Sequence, residues 1–118
     1  MPFHGENKGG HKMIVRGKDA EEFVVGDGVK RKVLSRGGKL MAVEVSFKKG
    51  AVGQMHSHPH EQISYIVSGI FEVNIDGDRK VLSPSDSYYV PPNVLHGVVA
   101  LEDSVILDIF TPQREDFL

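Results

Sequence analysis

Nowhere in these 118 residues do apolar side chains recur at helical spacing over a long stretch. Short apolar segments alternate instead with breaks rich in Gly, Pro, Asp and Asn. The spacing predicts strands over 13–16, 22–25, 29–35, 40–48, 54–58, 62–68, 70–75, 80–82, 87–90, 95–101 and 104–111. Arg36-Gly37-Gly38 and Asp76-Gly77-Asp78 read as hairpin turns, and Pro91-Pro92-Asn93 breaks a strand. In the 40–48 segment, Met41, Val43, Val45 and Phe47 share one face. Roughly nine to eleven short strands at close, regular spacing imply an all-β sandwich or barrel.

The length suits one domain, expected over 13–118. Residues 1–12 are polar and Gly-rich and read as a flexible N-terminal arm, with His4 and His11 as surface histidines. Net charge is −2 with scattered basic residues, which argues against a nucleic-acid partner. Lys30-Arg31-Lys32 reads as a solvated strand end. No apolar run approaches the ~20 residues of a membrane helix. No secretory pattern opens the chain, so the expected location is cytoplasmic and the expected partner a small-molecule substrate. Cysteine is absent, so any metal site must use imidazole, carboxylate, amide or water.

The stretch from Gly50 to Gly69 holds the residues for such a site. His56 and His58 are two apart, so on a strand both imidazoles leave the same face. Gln62 reaches the same point if the chain bends at Pro59. His96, just after the Pro-Pro-Asn turn, is the natural fourth donor. The adjacent His60 and Glu61 read as surface or supporting groups, and Tyr65, Tyr88 and Tyr89 as packing residues. A hairpin at Glu102-Asp103 would pair 95–101 with 104–111 and place Asp108 opposite or diagonal to His96, with Phe110 on the same face. Arg114, four residues beyond Phe110, can fold back over the mouth.

These residues resemble the cupin family. The pattern G-x5-H-x-H-x3-E-x6-G falls on Gly50, His56, His58, Gln62 and Gly69 with every spacing intact and glutamine in place of glutamate. The second pattern, G-x5-P-x-G-x2-H-x3-N, is matched in spacing by Ser85, Pro91, Asn93, His96 and Ala100, with Pro91 and His96 keeping the family residue. The resemblance implies a double-stranded β-helix, or jelly-roll barrel, usually dimeric. It also implies a metal held at His56, His58, Gln62 and His96. Such a set accepts nickel, zinc, iron, manganese or cobalt.

Glutamine at 62, with Asp108, Phe110 and Arg114 spaced D-x-F-x3-R, is similar to the KdgF branch of cupins. That branch linearises 4,5-unsaturated monouronates from pectin or alginate to 5-keto uronates. The similarity implies Asp108 as general acid–base, Phe110 as pocket wall and Arg114 as carboxylate partner. Two other classes stay open: a metal-dependent dioxygenase or isomerase on another small molecule, and a non-catalytic ligand-binding cupin. No DNA-binding segment accompanies the chain, which disfavours a sensor fused to a regulator.

Overall fold

The computed structural model describes residues 13–118. The arm expected over 1–12 lies outside them. Ten strands are described: β1 (Glu22–Gly26), β2 (Val29–Gly37), β3 (Leu40–Phe47), β4 (Val52–His56), β5 (Glu61–Ser68), β6 (Phe71–Ile75), β7 (Asp78–Leu82), β8 (Ser87–Val90), β9 (His96–Ala100) and β10 (Ser104–Thr111). A six-stranded sheet has the order β1-β2-β3-β10-β5-β8, and a four-stranded sheet the order β4-β9-β6-β7. All described pairings are antiparallel. This jelly-roll arrangement is the one the resemblance implies, and it falls within the sandwich or barrel that the strand spacing predicts. No helix among the described residues is long and apolar enough to cross a membrane.

The alternation on β3 sets the core. Met41, Val43, Val45 and Phe47 are all buried, whereas Leu40, on the other face, is exposed. Across the interior, Phe71 of β6 meets Phe47 edge to face, with ring centroids 5.1 Å apart. Ile66, Val73, Ala100 and Ile106 complete the contacts between the sheets. On β5, Gln62, Ser64 and Ile66 all point inward, so one strand face carries both core and site.

Two expectations are corrected. Residues Met13 to Arg16 form no strand: Met13 and Ile14 are exposed and the segment runs into a 3-10 turn at Gly17–Asp19. Three apolar residues without a partner ladder cannot bury a face. Nor do β9 and β10 form a hairpin. Residues Leu101 to Asp103 carry the chain from one sheet to the other, so β9 lies between β4 and β6, and β10 between β3 and β5. Asp108 therefore pairs with Val43 and Ser64 rather than with a residue of β9.

Gly69 shows how tightly that crossover is packed. Its φ is +80°, and a Cβ there would overlap the Ser104 hydroxyl and approach the Asp103 carbonyl at 2.6 Å. The Ser104 hydroxyl accepts from the Ile70 N–H at 3.0 Å and donates to the Glu102 carbonyl at 2.6 Å. Gly69→Ala should therefore cost about 2 kcal/mol or more and lower Tm by roughly 10 °C in a thermal melt.

Candidate metal centre

Strands β4 and β9 pair with His56 directly opposite His96. Gly97 allows this approach, because a Cβ there would meet the Gly53 carbonyl and the Met55 sulfur at 2.8 Å. His58 lies beyond the end of β4, in the loop before β5, so simple strand alternation does not place it. Its ring nonetheless turns inward, 4.9 Å from the His96 ring and 5.6 Å from the His56 ring, and His56 and His96 are 4.4 Å apart. One nitrogen from each of the three histidines lies within 4.8 Å of the others.

The backbone decides which nitrogen that is. His56 Nδ1 lies 2.8 Å from the Gln54 carbonyl, His58 Nδ1 3.0 Å from the His60 carbonyl, and His96 Nδ1 2.9 Å from the Val94 carbonyl. A carbonyl can only accept, so each Nδ1 carries the proton and each Nε2 keeps a lone pair. This is the tautomer an Nε2 metal ligand requires.

Two observations then fit a cation. His96 Nε2 is buried with no hydrogen-bond partner. His58 Nε2 faces Gln62 Oε1 at 2.8 Å, and the Gln62 amide nitrogen is directed to the Ser64 hydroxyl at 2.8 Å and to Asp108 Oδ1 at 3.4 Å. Two acceptors at that distance repel unless a proton or a cation lies between them. Burial lowers the pKa of His58, which disfavours the extra proton. Three neutral imidazoles and an amide oxygen thus suit one divalent ion, and the donor types do not single out which metal.

Gln62 also links this cluster to Asp108. The Ser64 hydroxyl accepts from the Gln62 amide and donates to Asp108 Oδ1 at 2.5 Å. Asp108, Ser64 and Tyr88 are direct cross-strand neighbours on β10, β5 and β8, with Phe110, Gln62 and Val90 in the next row. Burial pushes the Asp108 carboxyl up to about 6, with Ser64, Arg114 and Gln62 pulling the other way. Burial raises the Tyr88 phenol as well, with the Asp108 charge adding to it.

Phe110 lies edge-on to His58, with centroids 5.6 Å apart. Arg114 is buried rather than spread over the surface. Its Nε and Nη2 donate to the two oxygens of Asp116 at 3.1 and 2.9 Å, and its guanidinium lies 4.2 Å from the Phe117 centroid and 5.0 Å from that of Phe110. His56, Gln62, His96, Asp108, Phe110 and Arg114 all line one cavity of about 830 Å³. Arg31 and Phe117, neither of them a candidate from the sequence, line it too, as does Tyr88, which also packs against the core as expected. For Arg31, the period of two through Val29, Arg31 and Val33 held the signal. His60 accepts from His58 through its carbonyl, and Glu61 accepts from the Tyr89 hydroxyl at 2.6 Å.

The family model described as cupin domain matches residues 43–110, which hold both histidine segments. The chain belongs to the cupin family. It is 48% identical over 96 residues to the pectin degradation protein KdgF of Dickeya dadantii, covering 80% of this chain and 87% of that one. Among solved structures, it resembles an RmlC-like cupin from Shewanella frigidimarina at 45% identity and a TM-score of 0.88, over 91% of this chain and 96% of that one. KdgF from Halomonas sp. matches at 42% identity and a TM-score of 0.85, over 89% of this cupin and 97% of that chain.

The buried histidines carry a pH signature in the metal-free cupin. Burial pushes His96 from 6.5 down to about 4. Its contribution to stability is complete above the unfolded value of about 6.5 and is lost as pH falls toward about 4. Asp108, raised to about 6, has the opposite sign: its contribution is complete in acid and lost as pH rises through that value. His96→Gln should therefore flatten the acid-side fall of Tm relative to wild type. Calorimetry in chelator checks this, because the Asp108 contribution is common to both proteins. Adding a divalent ion at about 100 times Kd should stabilise wild type by about 2.7 kcal/mol. The gain in His96→Gln should be far smaller.

Proposed function

We propose that this cupin is a metal-dependent enzyme that opens 4,5-unsaturated monouronates, products of pectin or alginate breakdown, to linear 5-keto uronates. The observation that carries the reading is the connected set of His58, Gln62, Ser64 and Asp108, in which Gln62 and Asp108 line the cavity. It joins a metal-competent cluster to a carboxyl able to exchange protons near neutral pH. Relatedness to two KdgF proteins, one named for pectin degradation, supports the choice of substrate.

The chemistry is an isomerisation. In the unsaturated ring, one oxygen belongs both to a hemiacetal and to an enol ether. Loss of the proton on the anomeric hydroxyl and cleavage of the bond from C1 to the ring oxygen give a C1 aldehyde and an enolate. Protonation of that enolate at C4 gives the 5-ketone, so no atom is gained or lost overall.

Asp108 suits both proton transfers. Its Oδ1 is occupied by Ser64 and Gln62, whereas Oδ2 makes no hydrogen bond to a described residue and can take the anomeric proton and return one to C4. Phe110 walls the cavity, and Arg114 presents its guanidinium to the substrate carboxylate. A divalent ion held by His56, His58, Gln62 and His96 would supply Lewis acidity undiminished by an anionic ligand.

The test uses metal-loaded protein and 4,5-unsaturated galacturonate, followed by loss of alkene absorbance. Asp108→Asn should lower kcat by roughly 10² to 10⁴ while leaving bound metal unchanged. Full turnover by that variant would remove Asp108 from the mechanism. No turnover by wild type, with oxygen uptake on another small acid, would favour a dioxygenase instead.

A further inference from the structure

Arg31 is a cation on the inward face of β2. It alternates with Val29 and Val33 and stands opposite the buried Val45. The neighbouring lysines have found partners elsewhere: Lys30 lies 3.9 Å from Glu22, and Lys32 donates to the Gly17 carbonyl at 3.1 Å. The Arg31 guanidinium makes no hydrogen bond or salt bridge to a described residue and stacks 3.7 Å from the Phe117 centroid. Arg114 lies 4.2 Å from that same ring.

Two guanidinium groups thus share one phenyl ring, and Asp116 is the carboxylate they both feel. Burial and the charge of Arg114 both lower the Arg31 pKa, and Asp116 only partly opposes them. The contact with Asp116 occupies the Nε–Nη2 edge of Arg114, leaving its Nη1–Nη2 end. Arg31 keeps all five N–H donors unspent on the described protein and opens on the cavity that holds Asp108. A planar fork of donors beside a second positive charge is the arrangement that takes a carboxylate through two parallel hydrogen bonds.

We infer that Arg31 and Arg114, stacked on Phe117, form a two-guanidinium site for the carboxylate of the cavity's ligand, with Arg31 setting the preference for acids over neutral molecules. The inference rests on the proposed function only in taking that acid to be a uronate. Arg31 is a binding and specificity residue, and the proton transfers remain with Asp108.

The test compares galacturonate with galactose by titration calorimetry on the metal-loaded protein. Arg31→Gln should weaken galacturonate roughly ten- to a hundredfold and leave galactose unchanged. Arg31→Lys, which keeps the charge but loses the fork, should fall between. With unsaturated galacturonate as substrate, Arg31→Gln should raise KM with kcat little altered. Wild-type affinity for galacturonate in Arg31→Gln would overturn the site, as would a wild type that does not prefer galacturonate. An Arg31 that merely braces the C-terminal turn would lower Tm in Arg31→Gln yet keep the galacturonate-to-galactose ratio, and that too would overturn it. Arg31-dependent galacturonate binding without turnover would leave the site standing and remove the uronate-opening reaction. Turnover with a KM indifferent to Arg31 would do the reverse.

Discussion

The site depends on three backbone carbonyls that each accept an imidazole Nδ1–H. Those of Gln54, His60 and Val94 fix both the tautomer and the tilt of the three rings. Without them, either nitrogen of each ring could turn toward the cavity, and convergence would be one arrangement among several. With them, three Nε2 lone pairs and the Gln62 carbonyl oxygen are turned toward one another. In this tautomer His58 Nε2 and Gln62 Oε1, 2.8 Å apart, are both acceptors, a pair suited to sharing a cation.

Gln62 connects two parts of the cavity because an amide has two ends. Its oxygen turns to His58, and its nitrogen to Ser64 and Asp108. Glutamate at this position would present a second acceptor to Asp108 and add a negative charge beside it. The amide avoids both and donates to the carboxylate instead. Cross-strand register does the rest, since Asp108 and Ser64 are direct partners on β10 and β5.

Much of the fold was legible because alternation is unambiguous where one face is fully buried. Met41, Val43, Val45 and Phe47 declared their face, and the bounds of β8 and β10 were read correctly from Ser-Asp and Pro breaks. The order of strands was less legible. Glu102-Asp103 carries the same turn chemistry whether the next strand folds back beside β9 or crosses to the other sheet, and only the packing of Ser104 against Gly69 and Ile70 distinguishes them. The three histidines singled out by their spacing do converge, although His58 reaches the cluster from a loop rather than from a strand. Arg31 stayed hidden because a run of three basic residues reads as a solvated end. Its inward direction follows from the strand's period, and its stacking partner Phe117 is 86 residues away in the chain.

The charges of the cavity follow one logic. The donor set of the cluster is neutral, so a bound divalent ion would keep its full charge. Asp108, raised to about 6 by burial, offers little negative charge below that pH and a single one above it. Arg31 and Arg114 add two positive charges against the one carboxylate of Asp116. The interior of a protein whose net charge is −2 is therefore electropositive at its cavity, with low-dielectric walls of Phe110 and Phe117 that strengthen the field. Such a field attracts a small anion and opposes a cationic one. It also stabilises negative charge that develops on a bound ligand. The same field lowers the pKa of any acid drawn into it, so a bound carboxylic acid stays ionised against the guanidinium groups, whereas burial holds Asp108 up at about 6.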